Sequence, residues 1–121
     1  MHDPIILERL EIILDHVSVI GERMKKVLDA EYFVSTEDGQ ILYDSILIRL
    51  QAIGENIKKI ENINPGFTES VLGEKASKII RFRDIVSHHY ELMDYQVIYN
   101  ISSVHIPALQ AAIRQFQSEQ H

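Results

Sequence analysis

The chain contains no cysteine. This absence excludes disulfide bonds, thiolate metal sites and cysteine nucleophiles together. Glycine and proline are also scarce, with five and three residues in 121, and such a shortage of turn-forming residues is typical of long helices with few connections. No apolar run approaches the ~18 residues that a membrane span requires, and no charged leader precedes an apolar segment with a small-residue cleavage site. We therefore expect a cytoplasmic protein without a membrane partner.

Positive charge is in short supply as well. Lys and Arg number 12 against 18 Asp and Glu, which gives a net charge of −6. This balance argues against a generic nucleic-acid coat, and we expect no DNA partner, although a local basic face remains open. A content of 45% hydrophobic and 25% charged residues is ordinary for a soluble globular chain. The length fits one domain that spans residues 1–121.

Apolar residues recur in steps of three and four along most of the chain, as they do in amphipathic helices. Asp3 and Pro4 suit the cap and the first turn of a first helix. A polar break over residues 31–38 follows, in which Ser35 or Thr36 can cap a second helix. The inward-facing positions are Ile6, Leu10, Ile13, Val17, Ile20, Met24 and Val27 in the first helix, and Leu42, Ile46, Leu50, Ile53, Ile57 and Ile60 in the second.

The second half of the chain predicts further helices. Residues 62–66 form the clearest turn, and a third helix is expected from near Thr68 to about residues 88–90. Asp94 can cap a fourth helix, in which Pro107 predicts a kink or a break. Its expected inward face is Val97, Ile101, Val104, Ala108, Ala112 and Gln115. The fold class is therefore all-α, an antiparallel up-and-down bundle of four to five helices.

The third helix is the one that departs from a generic pattern. From Gly73 to Arg83 it has four basic residues and one acidic residue, so anion binding, if it occurs, is expected here. Beside the apolar face that docks the helix runs a second line of residues, which we name the helix-three seam: Ala76, Ile80, Arg83, Ser87 and Tyr90. A third line on the same helix consists of Lys78, Arg81, Ile85 and His88.

Each of these residues also has a purely structural interpretation. Arg83 at the edge of a buried face could be a salt-bridged structural residue with Glu55 as its partner. His88 could belong to a solvated helix end, where the dipole favours imidazolium, and Tyr90 could be a half-buried aromatic with a wet hydroxyl. Adjacent histidines at 88 and 89 point about 100° apart on a helix. They therefore predict no metal site, and no cofactor motif is present.

Taken together, residues 83–90 spell R-D-I-V-S-H-H-Y, an R-x-x-x-x-H-x-Y pattern at the end of a bundle helix. This pattern resembles the HepT-type toxins of the HEPN superfamily, whose motif has Arg, a polar residue, three variable positions, His, any residue and Tyr. Asp84 stands where the family usually has Asn, which adds a negative charge beside the motif. The segment Ile53-Gly54-Glu55-Asn56 is similar to the family's I-G-E-A segment, and the resemblance extends from the first helix to Phe116.

The resemblance implies a small, dimeric, helical ribonuclease toxin that is encoded beside a minimal nucleotidyltransferase antitoxin. It further implies that the antitoxin silences the toxin by transferring AMP from ATP to Tyr90. The RNA target, whether tRNA or mRNA, cannot be read from the sequence.

The chemistry of the motif agrees with RNA cleavage. RNA breaks when its 2′-oxygen attacks the adjacent phosphorus, which needs proton transfer and charge stabilisation but no metal. His88 is the candidate general base or acid, Arg83 the phosphate clamp, and Tyr90 positions the substrate. Lys78 and Arg81 are expected to hold flanking phosphates, and Asp84, the acid within the octamer, is a further candidate substrate-binding residue. The products would be a 2′,3′-cyclic phosphate and a 5′-hydroxyl.

The spacing within the motif adds a constraint, because five residues correspond to about 140° around an ideal helix. One straight helix would not present Arg83 and His88 to the same phosphate. Either the helix unwinds near Ser87, or two chains in a homodimer supply parts of a shared cleft, which the resemblance favours. Two other functions remain open: a non-catalytic helical subunit that contributes to the nucleotide pocket of a nucleotidyltransferase, or a plain dimerising bundle with an inert Arg–Glu pair.

Overall fold

A computed structural model describes residues 3–73 and 94–120 of the chain. The first helix, α1, spans Pro4–Met24. The side chain of Asp3 accepts a hydrogen bond from the backbone N–H of Ile5 at 2.7 Å, and Pro4 occupies the first turn, where its missing N–H costs nothing. The helix begins where the sequence predicts, and six of its apolar residues are buried: Ile6, Leu10, Ile13, Leu14, Val17 and Ile20.

The region of residues 31–38 differs from the predicted polar break. It contains a one-turn helix, α2 (Tyr32–Ser35), whose Phe33 is fully buried and packs edge-to-face on Tyr43 with ring centroids 5.1 Å apart. A helical repeat cannot be recognised in four residues, so the sequence did not indicate that Phe33 lies in a short helix and is buried. Thr36 then caps the next helix through its Oγ1, which accepts from the N–H of Gly39 at 2.8 Å.

The longest element is α3, which spans Glu37–Ile63. It runs antiparallel to α1, because residues near the start of one helix contact residues near the end of the other. Its predicted inward face is confirmed for five of six residues, while Leu42 is half-buried; the five are Ile46, Leu50, Ile53, Ile57 and Ile60. The predicted turn follows at Asn64–Gly66, where Gly66 adopts a φ of 91°.

The third predicted helix does not run on from Thr68 as a regular α-helix. A single π-helical turn, Thr68–Leu72, ends at Gly73 with a φ of 80°, a conformation that favours glycine and terminates a helix. The prediction of continuous helix through this point is therefore wrong. The rest of that predicted helix lies outside the described residues.

The C-terminal part consists of α4 (Tyr95–Asn100), a π-helical turn (Ile101–His105) and α5 (Ile106–Glu119). Asp94 caps α4 by accepting from the N–H of Gln96 at 2.8 Å. At Pro107 the structure shows a change of helix type rather than a break into two pieces: the residue lies in the first turn of α5 immediately after the π-helical turn, and the backbone is helical on both sides. Proline cannot donate the backbone hydrogen bond that a continuous α-helix would need here.

The predicted inward face of this fourth helix is wrong at three of its six positions, while Ile101 is buried and Ala108 and Ala112 are half-buried. Val97 and Val104 are 46% and 47% exposed, and Gln115 is exposed. On both sides of the π-helical turn the buried residue follows the predicted one by one position, as Ile98 follows Val97 and Leu109 follows Ala108, which corresponds to a rotation of the face by about 100°. The residues that are buried instead are Ile98, Ile101, Ser102, Ile106, Leu109, Ile113 and Phe116.

These elements form an all-α antiparallel bundle, as the sequence predicts, and the described residues include no strand. In the bundle α1 contacts both α3 and α5. Phe116 of α5 packs edge-to-face on Phe67 with centroids 5.2 Å apart, which joins the C-terminal helix to the π-helical turn after α3. No described helix is long and apolar enough to cross a bilayer.

Candidate functional site

The R-x-x-x-x-H-x-Y octamer lies outside the described residues. The same holds for the helix-three seam and for every site residue predicted on that helix, namely Lys78, Arg81, Arg83, Asp84, His88 and Tyr90. Its two borders are described: the π-helical turn ends at Gly73, and α4 begins after its cap, Asp94. The motif-bearing segment therefore connects the turn after α3 to the N-terminus of α4.

Glu55 is the predicted site residue that the structure does describe. It lies in α3 and is half-buried, between the buried residues Gly54 and Asn56. The I-G-E-N segment is thus in the tightly packed middle of the bundle, with Ile53 fully buried. Its proposed ion pair with Arg83 stays a prediction, since Arg83 lies outside the described residues.

Asn56 is a polar residue that the sequence reasoning did not single out. It is only 8% exposed, and its Oδ1 accepts a hydrogen bond from Nη1 of Arg9 at 3.1 Å. Its Nδ2 donates to the backbone carbonyl of Ala52 at 2.8 Å. The amide therefore has partners at both ends, which a buried amide needs, and it holds the Arg9 guanidinium against α3.

A second pair joins the same helices one heptad further along α1. Nη1 of Arg49 lies 3.1 Å from Nδ1 of His16. The pKa of His16 is lowered, first by burial of the ring and then by the positive charge of Arg49, while Asp15 opposes these effects. Because guanidinium can only donate, Nδ1 is the acceptor and the imidazole is neutral in this contact.

The third pair is formed by Arg23 and Ser45, where Nε donates to Oγ at 3.1 Å. Beside it lies an open pocket of about 500 Å³ whose lining includes Arg23, Lys26, Ile41 and Leu42. We name this line of contacts the α1–α3 groove and define it by Arg9, His16, Arg23, Ser45, Arg49 and Asn56.

The groove has a signal in the sequence that could have identified it. Arg9, His16 and Arg23 are spaced seven residues apart, so they share one side of α1. Each also directly precedes an inward-facing position, which places it at the edge of the buried face. Polar residues repeated at the edge of an apolar helix face indicate contacts with a neighbouring helix.

The described residues contain no group of three or more His, Cys, Asp or Glu side chains that could hold a metal ion. The ion pair of Lys25 with Glu22, at 2.9 Å, joins two exposed side chains one turn apart on α1. The groove arginines therefore differ from Lys25, because their described partners are neutral side chains.

Comparison with known proteins gives one assignment. A family model described as Ribonuclease HepT-like matches residues 6–116, which is nearly the whole chain. Searches of the curated proteins and of the solved structures find no match.

Proposed function

From the premise that the chain belongs to the Ribonuclease HepT-like family, we propose that it is the toxin of a toxin–antitoxin module and cleaves RNA without a metal ion. The family indicates ribonuclease activity and RNA as the substrate class. The observation that carries the proposed toxin activity and metal-free cleavage is the octamer at residues 83–90. It combines a cation, an imidazole and a phenol within eight residues.

The reaction is a transesterification followed by release of the leaving strand. An imidazole of His88 takes the proton of the 2′-hydroxyl, and the 2′-oxygen forms a bond to phosphorus. The bond from phosphorus to the 5′-oxygen breaks, and an imidazolium returns a proton to that oxygen. Arg83 holds the non-bridging oxygens as negative charge builds on them, which a guanidinium does with two parallel hydrogen bonds.

A homodimer would solve the geometric problem of the motif. The ~140° between Arg83 and His88 on an ideal helix directs the two side chains to different sides. Two octamers that face one another across a two-fold axis would provide an imidazole for each proton transfer. They would also double the local positive charge, while the rest of the acidic chain keeps its net negative charge.

The remaining roles follow from the same cleft. Tyr90 would position a nucleotide by stacking and by its hydroxyl, and Lys78 and Arg81 would hold phosphates on either side of the cleaved bond. Asp84 would tune the charge beside Arg83, and Glu55 would support Arg83 from α3. A minimal nucleotidyltransferase would act as the antitoxin by transferring AMP to the Tyr90 hydroxyl.

The test is expression of the chain in a bacterial host, alone and together with the nucleotidyltransferase encoded beside it, followed by sequencing of RNA ends. We expect growth arrest and new 5′-hydroxyl ends with the chain alone, and neither with the pair. The variant His88→Ala should restore growth. A chain that is harmless alone but required for the activity of the nucleotidyltransferase would instead support the non-catalytic subunit.

A further inference from the structure

The α1–α3 groove places three arginines in one line on an otherwise acidic protein. Arg9 and Arg23 are fourteen residues apart on α1, which is ~21 Å along the helix axis. Arg49 of α3 lies between them, at the level of His16. All three are half-buried, so their guanidinium groups are held at the protein surface by the surrounding helices.

The described hydrogen-bond partners of these arginines are neutral groups. Within the described residues, the guanidinium groups contact an amide oxygen, a hydroxyl and a neutral ring nitrogen, and none of them forms an ion pair with a carboxylate. Each guanidinium uses one donor in these contacts, keeps its other N–H groups and remains fully charged. A neutral acceptor thus orients the group without neutralising it.

Glu22, the acidic residue among those that line the pocket, is already paired. Glu22 lines the pocket beside Arg23 and Lys26, but its carboxylate accepts from Lys25 at 2.9 Å. The lining of the pocket therefore combines the cationic side chains of Arg23 and Lys26 with the apolar side chains of Ile41 and Leu42. This combination suits a phosphate group attached to an uncharged sugar and base.

We propose that the α1–α3 groove binds the sugar–phosphate backbone of a single-stranded RNA, as a binding surface additional to the octamer. The inference rests on the proposed function, which makes RNA the substrate class. Arginines in a row that are oriented by neutral partners complement a polyanion with regularly spaced phosphates. Tyr, Phe and His rings that could stack on bases do not line the described groove apart from His16, so the groove recognises the backbone and is indifferent to sequence.

The test measures binding of a fluorescently labelled oligouridylate by anisotropy over a range of salt concentrations. The protein carries His88→Ala so that the RNA stays intact. Replacing Arg9, Arg23 and Arg49 together by Gln should flatten the log–log salt slope by about two units, since each single-strand phosphate contact contributes roughly 0.7. The salt slope measured with an oligoadenylate should flatten by the same amount.

Two matched variants make the result specific. Gln at Lys58, Lys59 and Arg114 removes the same number of positive charges from exposed positions that are not among the groove residues, and it should change the slope by less than half as much. Lys at the three groove positions keeps the charge and should keep most of the slope. Should the triple Gln variant fail to fold, the three single Gln variants should each flatten the slope by about 0.7.

An unchanged slope in folded groove variants, or an equal loss in the control, would overturn the inference. A groove variant that alters sedimentation but not RNA binding would also overturn it, by identifying the face with exposed Ile41 and Ile48 as a protein interface. The proposed function is judged separately by cleavage. If the wild type cleaves RNA but the groove variants bind it with an unchanged salt slope, the proposed function stands and the groove inference fails. If the groove variants weaken RNA binding but the wild type cleaves no RNA, only the proposed function is contradicted.

Discussion

Arg49 of α3 donates from Nη1 to Nδ1 of His16 on α1 across 3.1 Å. The contact requires an unprotonated imidazole, because a guanidinium has no lone pair to accept with. Protonation of His16 would place two cations side by side between packed helices. The main link between α1 and α3 at this level is therefore sensitive to acid.

The first prediction concerns the pH dependence of stability. Folding lowers the pKa of His16 from 6.5, mainly by burial and then through Arg49. Below pH 6.5 the unfolded chain binds the proton more readily, so stability is present above this pH and is lost as pH falls toward the lower folded pKa. The variant His16→Gln keeps an acceptor for Arg49 and does not titrate. Thermal melts from about pH 8 to pH 5 should show a smaller fall in Tm for this variant than for the wild type. Parallel curves would contradict the prediction.

The second prediction compares two glycines within helices. A Cβ on Gly39 would collide with the backbone carbonyl of Tyr32, whereas a Cβ on Gly21 would meet nothing within 4 Å. Gly39→Ala should therefore lower the free energy of unfolding by about 1–3 kcal/mol, as overpacking does. Gly21→Ala should raise it by roughly 0.5–1 kcal/mol, because alanine suits a helix interior better than glycine. Urea denaturation measures both, and equal effects of the same sign would be inconsistent with close packing of α2 on α3.

The fold was largely predictable because α1 and α3 are long enough for a helical period to show. Asp3 and Thr36 each cap a helix as their residue types indicate. The predictions of helix bounds that failed are those at places where the backbone is irregular. Gly73 ends a π-helical turn with a φ of 80°, and a second π-helical turn, Ile101–His105, precedes Pro107. Neither is encoded in a regular apolar spacing.

The sequence likewise predicted only part of the candidate site. The octamer could be identified because its residue types and order are specific, although its arrangement lies outside the described residues. For the groove, the seven-residue spacing of Arg9, His16 and Arg23 indicates a contact edge on α1, but it does not indicate which residues of α3 they contact. Contacts between residues 47 positions apart depend on the register of two helices, which the spacing within either helix does not reveal.

The third prediction concerns assembly. We expect a homodimer whose interface includes the helix-three seam, because the predicted third helix carries its apolar docking face and this seam, and its own bundle can cover only one of the two. Sedimentation at micromolar concentration should give twice the chain mass of 14.0 kDa. The variant Ile80→Glu should shift the protein toward monomer, while a glutamate at exposed Leu28, which is 91% accessible, serves as the control. A wild-type monomer would contradict the shared cleft.

The fourth prediction concerns control by modification. Tyr90 and Arg83 share the helix-three seam, two turns apart, so an AMP group on the tyrosine would lie near the proposed phosphate site. Its phosphodiester would neutralise Arg83, and its adenine would fill the space for a base. Mass spectrometry after incubation with the nucleotidyltransferase and ATP should show AMP additions on the wild type and none on Tyr90→Phe. Additions that persist on the phenylalanine variant would refute this mechanism.

The most direct measurement for the central claim is cleavage of a defined RNA by the purified chain in the presence of a chelator. We expect 2′,3′-cyclic phosphate and 5′-hydroxyl ends, with the rate reduced at least about 100-fold in His88→Ala, because a positioned acid or base contributes 10²–10⁴-fold. Arg83→Lys, which keeps the charge but not the guanidinium fork, should also be slower. Cleavage that stops with chelator and returns with magnesium, or that survives His88→Ala unchanged, would contradict the account.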